Sequence, residues 1–159
     1  MSNAYKEYRD ELQAEFNKLP IFFALTDEQF DREMRQRGLT GADTDQVYRV
    51  DGVFYLRKDA EQVRAWLNKD HLAELREKMK KDAEFAAEAF YYEMENHEYP
   101  INTYQGDWDV CSCFGDVEWD EEKTGADYLR ELGFDDETIA VYNRAKKKLT
   151  QKWLENDWA

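Results

Sequence analysis

Glu93 and His97 stand four residues apart, a spacing that puts both side chains on one face of a helix, and a carboxylate beside an imidazole can ligate a metal ion or move a proton. Zinc takes three or four ligands. Beyond carboxylates the chain offers only His71, His97, Cys111 and Cys113, so Glu93 and His97 lack a convincing third donor and no metal site is expected. As a general base His97 has the same weakness, because no recognisable motif sets a serine or cysteine nucleophile beside it. Cys111-Ser112-Cys113 has a one-residue spacer, whereas functional dithiols use two residues at a helix start, and a disulfide between these cysteines would be strained. They read as reduced thiols, two small side chains pointing one way from a strand. Gly38 and Gly41, and Gly115 and Gly125, match no phosphate-loop pattern, and acids are too numerous for a glycosidase-like pair to be singled out. No catalytic residue and no cofactor is expected, and the chain reads as a binding protein rather than an enzyme.

What the sequence does concentrate is negative charge. Residues 1–80 carry a net −2, residues 81–137 carry −15 and residues 138–159 carry +3, which accounts for the chain's −14. Proteins of high-salt cytoplasm are acidic throughout, whereas this chain keeps 12 lysines and a nearly balanced first half. Charge packed into a third of the chain makes a local potential that a basic partner feels at a distance. Direct nucleic-acid binding is disfavoured, since only Lys146, Lys147 and Lys148 cluster. Acidic tails that stay disordered are poor in aromatics, but this segment holds Tyr99, Tyr104, Phe114, Tyr128 and Phe134 besides two tryptophans, as a folded acidic face would. The expected contact set is Asp107, Asp109, Asp116, Glu118, Asp120, Glu121 and Glu122 for charge, with Trp108 and Trp119 as anchors.

The elements that position these residues follow from periodicity and punctuation. Tyr5, Tyr8, Leu12, Phe16 and Leu19 share one helix face, and Pro20 stops that helix. Ile21–Leu25 reads as an apolar linker. Thr26 and Gln29 have capping-box spacing before a helix from Asp27 to Arg37, and Gly38 closes it. Val47–Val50 and Val53–Leu56 flank Asp51-Gly52, a two-residue hairpin turn, and a hairpin needs helices or a third strand to be stable. Asp59 can cap a helix carrying Ala60, Val63 and Leu67. Asp70 can cap another carrying Leu72, Leu75 and Met79, which runs on through Phe90 and Met94 or breaks near Asp82. Pro100 ends the helical region, Thr124 and Asp127 open a short helix closed by Gly133, and Asp135 or Asp136 caps a last one. Its inward face is Ile139, Tyr142, Ala145, Leu149 and Trp153. The expected fold is α+β: a mostly helical single domain over residues 1–159, with about six helices, a small antiparallel hairpin or three-stranded sheet, and an irregular acidic insertion at 101–123. There is no run of 18 apolar residues, and Met1–Leu12 alternates charges where a signal peptide needs an apolar stretch, so no membrane association and a place in the host cytoplasm are expected. A homodimer is left open.

Several strings resemble an uncharacterised family of small acidic proteins carried by phages and other mobile elements. They are Phe22-Phe23-Ala24 followed by Gln29-Phe30, the hairpin into Tyr55-Leu56-Arg57-Lys58, the run from Tyr92 to Tyr99, and Tyr128 to Phe134. Asn96-His97-Glu98-Tyr99 is the most specific of them, and Tyr104–Lys123 and the C-terminal helix look like additions. The resemblance implies a setting, since acidic phage-borne proteins often inhibit bacterial defence nucleases by occupying their nucleic-acid channels. The expectation is an anti-defence inhibitor, of anti-CRISPR or anti-restriction type, whose acidic face mimics nucleic acid and binds a basic nucleic-acid-handling protein such as a defence nuclease. Two alternatives stand beside it: a small enzyme or metal-binding protein centred on His97, and a helical adaptor whose acids only solubilise.

Overall fold

A computed structural model describes residues 3–99 and 105–156; Pro100, Tyr104 and the start of the 101–123 stretch lie outside the described residues. The fold is α+β and mostly helical, with one three-stranded antiparallel sheet. The chain divides into two compact units, residues 12–69 and residues 1–11 with 70–159. Helix α1 (Ala4–Asn17) contributes its first eight residues to the latter unit and the rest to the former.

In the unit of residues 12–69, β1 (Ile21–Phe23) precedes α2 (Asp27–Gln36), and β2 (Val47–Val50) and β3 (Val53–Leu56) precede α3 (Ala60–Leu67). The expected apolar linker is therefore a strand. It pairs antiparallel with β3, Phe22 opposite Phe54, and the sheet order is β1-β3-β2. Its reason is burial: Phe22 stacks on Phe54 with ring centroids 5.4 Å apart, and both pack with Phe30, Met34 and Leu56. The hairpin turn is as expected, with Asp51 and Gly52 both at positive φ (47° and 81°), which the twist of a two-residue turn requires. Thr26 caps α2 by accepting from the Gln29 amide at 3.1 Å. Asp59 does not cap α3 with its side chain; a 3₁₀ turn over Arg57–Asp59 leads into that helix instead.

The other unit packs α4 (His71–Lys81), α5 (Ala83–Asn96), α6 (Gly106–Cys111), α7 (Gly125–Glu131) and α8 (Asp136–Glu155) with the start of α1. Asp82 separates α4 from α5. It takes an extended conformation, donates its own amide to Lys78 O and accepts from the Phe85 amide, so one residue ends the first helix and begins the second. The core is aromatic: Phe90 of α5 meets Phe114, Phe134 and Tyr142 edge to face. Thr124 and Asp127 form a full capping box at α7 and Asp135 caps α8. Ile139, Tyr142, Ala145 and Leu149 face inward as their spacing predicts. The run ending in Cys111 is helix α6, so the two cysteines do not project from a strand. No helix among the described residues is long and apolar enough to cross a membrane.

Candidate functional site

The nine expected contact residues fall into two groups. Asp107, Trp108 and Asp109 lie on α6, where the first two side chains and the backbone carbonyl of the third make internal hydrogen bonds. The Tyr142 hydroxyl donates to Asp107 Oδ1, and Lys146 Nζ stands 3.6 Å from Oδ2. Burial first, then the neighbouring Cys111 and Asp107, push the Tyr142 hydroxyl far above the usual tyrosine range. The Trp108 indole N–H donates to Val117 O at 2.8 Å, and Asp109 O accepts from the Ser112 hydroxyl at 2.9 Å. Asp116, Glu118, Trp119, Asp120, Glu121 and Glu122 form one surface loop between α6 and α7. Trp119 is 38% exposed, and Asp116, Glu118, Glu121 and Glu122 are exposed too.

This loop is held by its ends and its middle. Trp108 ties Val117, and the Tyr128 hydroxyl both donates to Asp120 O (2.8 Å) and accepts from the Asp120 amide (3.0 Å). Asp120 Oδ1 accepts from the Glu122 amide at 2.9 Å. The single lysine following the loop, Lys123, is paired with Glu131 at 2.8 Å. Among the described residues, no cation pairs with Asp116, Glu118, Glu121 or Glu122.

The second cluster surrounds Glu93, which is 2% exposed on the inward face of α5. Its Oε1 accepts from the Tyr5 hydroxyl at 2.9 Å and pairs with Arg9 at 3.1 Å. Its Oε2 lies 3.4 Å from His97 Nε2 and 3.2 Å from Cys113 Sγ. Cys113 Sγ and His97 Nε2 are 3.3 Å apart, and Asp109 O is 3.4 Å from the same sulfur. The helix end places His97: its amide bonds Glu93 O, Glu98 turns the chain at φ 51°, and the Tyr99 amide returns to Met94 O. The Asn96-His97-Glu98-Tyr99 string is thus the C-terminal cap of α5. Gly106 lets the Tyr99 ring close on α6, since a Cβ there would stand 2.9 Å from Tyr99 Cδ2. The third donor that the sequence lacked is Cys113, brought to the pair by α6 and the turn after it.

The cluster differs from a catalytic triad in its geometry. Burial, and then the Glu93 carboxylate, push the Cys113 thiol up to about 12, which keeps it protonated at neutral pH. A catalytic triad puts nucleophile and carboxylate on opposite nitrogens of the histidine, but here both approach Nε2. Among the described residues, the donor atoms of Glu93, His97 and Cys113 converge closely enough to hold a metal ion. A surface groove of about 420 Å³ lined by Ala87, Tyr91, Arg144 and Lys148, among others, includes none of the residues of either cluster.

Residues 4–112 match a family of unknown function (DUF7659), well over half of the chain, and the chain belongs to that family. No curated protein and no solved structure matches it. The matched stretch runs from α1 through α6 and holds Tyr5, Arg9, Glu93 and His97. It stops one residue short of Cys113 and leaves the 116–122 loop outside.

Proposed function

We propose that this protein binds a basic protein partner through the acidic loop 116–122, with Trp119 as its aromatic anchor. The observation that carries the reading is the loop itself: exposed carboxylates around an exposed indole, fixed by Trp108 and Tyr128, with Asp116, Glu118, Glu121 and Glu122 in no ion pair among the described residues. A preformed array of this kind loses little entropy on binding and attracts lysine and arginine from a distance. In the mobile-element setting that the sequence resemblance implies, the partner is a nucleic-acid-handling protein such as a defence nuclease, and the carboxylates stand in for phosphates. The loop lies outside the residues that the family model matches.

The test is retention of host proteins on the immobilised full chain, washed at low and high salt with and without competing duplex DNA. The expected result is a nucleic-acid enzyme held at low salt and displaced by DNA. It should be lost when Asp116→Asn, Glu118→Gln, Asp120→Asn, Glu121→Gln and Glu122→Gln are combined. Retention unchanged by those five substitutions overturns the reading.

A further inference from the structure

We propose that Glu93, His97 and Cys113 form a binding site for one divalent transition-metal ion of the zinc class. Three distances carry this. The donor atoms make a triangle with edges of 3.4 Å (Oε2 to Nε2), 3.3 Å (Nε2 to Sγ) and 3.2 Å (Sγ to Oε2). Tetrahedral zinc with ordinary bond lengths to oxygen, nitrogen and sulfur separates such donors by about 3.3–3.6 Å. The triangle is one face of that tetrahedron to within a few tenths of an ångström.

With Glu93 ionised, two protons at most are shared among the three edges, so linear hydrogen bonds cover no more than two of them. The thiol carries one proton and Nε2 at most one. If both protons point at Glu93 Oε2, none lies between sulfur and nitrogen. If the thiol instead donates to a neutral Nε2, the nitrogen has no proton left for the carboxylate, and the two face each other as acceptors. Asp109 O, 3.4 Å from Sγ, competes for the same thiol proton. A cation at the centre satisfies every donor at once.

The surroundings fit a ligand set. Tyr5 and Arg9 occupy Oε1, which orients the carboxylate and leaves Oε2 for the ion, as hydrogen bonds behind a metal ligand do elsewhere. Thiolate and imidazole select zinc-class ions over magnesium and calcium, which take oxygen ligands. The carboxylate and the thiolate bring two negative charges to a dication, and Arg9, paired with the carboxylate, adds one positive charge beside them. Binding is a proton exchange with no change of oxidation state: the Cys113 S–H bond breaks, its proton goes to solvent and the sulfur's electron pair forms the bond to the ion. Three protein donors leave a fourth position for water or an exogenous ligand.

The test is titration of the untagged full chain with Co(II), a spectroscopic stand-in for zinc, followed by displacement with Zn(II). The expected result is one ion per chain, an intense visible spectrum of tetrahedral Co(II) and a thiolate-to-metal charge-transfer band. Cys113→Ser should abolish that band, Cys111→Ser should keep it, and His97→Gln should weaken binding at least about tenfold, with far-ultraviolet circular dichroism showing that each variant folds. Neutralising the 116–122 loop should leave the band unchanged, so this proposal and the acidic-loop reading fail separately. No stoichiometric binding, or a band that survives Cys113→Ser, overturns the site.

Discussion

Tyr5→Phe deletes one hydroxyl and keeps the ring that packs edge to face against Phe85 and Tyr92, so its effect falls on Glu93. The lost bond, 2.9 Å long, runs to a carboxylate sealed in the core. Hydrogen bonds to charged groups contribute about 1.5–3 kcal/mol. Arg9 still reaches the same oxygen at 3.1 Å, so Oε1 is not stranded. The cost should therefore sit near the lower end, about 1.5 kcal/mol. Hydrogen exchange at the α5 amides of the metal-free chain reads the stability of this unit alone. In a Glu93→Gln background the acceptor is neutral, and the cost of Tyr5→Phe should fall by about 1 kcal/mol in a double-mutant cycle. A cost below about 0.5 kcal/mol, or the same cost in both backgrounds, would refute the idea that Tyr5 holds a charged Glu93.

Two further outcomes are expected. Burial raises the hydroxyls of Tyr5 and Tyr142 and the thiol of Cys111 above their ordinary values of 10.0 and 9.0, so the folded chain holds these protons more tightly than the unfolded one. That stabilisation is complete below the unfolded values and is lost as pH climbs past them, at about 1.4 kcal/mol per pH unit for each group. Urea midpoints taken between about pH 8 and 11 should fall, less steeply above pH 10 in Tyr142→Phe, and a flat profile would contradict the assignment. A methyl at Gly125 would stand 2.8 Å from the Tyr142 ring and 3.0 Å from Asp107 Oδ1. Gly125→Ala should cost about 1–3 kcal/mol in thermal unfolding, and an unchanged midpoint would show that the Asp107–Tyr142 contact gives way freely.

Where one residue type enforced a local outcome, the sequence was legible. Asp51-Gly52 leaves little but a two-residue turn, and Thr124, Asp127 and Asp135 mark helix starts because their oxygens satisfy amides that a helix leaves open. What was missed depends on distant partners. Ile21–Phe23 is too short to show a period, and only Phe54, 32 positions on from Phe22, makes it a strand. Asp107 and Trp108 look like surface residues in a list of acids and aromatics; their roles come from Tyr142 and Val117. Helix α6 has six residues, fewer than two turns, so periodicity could not reveal it.

The Glu93 cluster was half legible for a more instructive reason. The spacing of Glu93 and His97 showed a pair, and the missing donor followed 16 residues after His97 across a segment without a readable period. A different signal was present. Arg9 lies one turn after Tyr5 on a helix face read as apolar, and Glu93 lies on the apolar face of α5 with Phe90 and Met94. A charge on a core stripe must be paired or lose its charge, and two such stripes bearing opposite signs call for each other. Arg9 and Glu93 do meet, at 3.1 Å. That pairing uses only Oε1, so a buried carboxylate keeps a second oxygen, and the chain brings to it an imidazole and a thiol, both of them donor types that zinc takes.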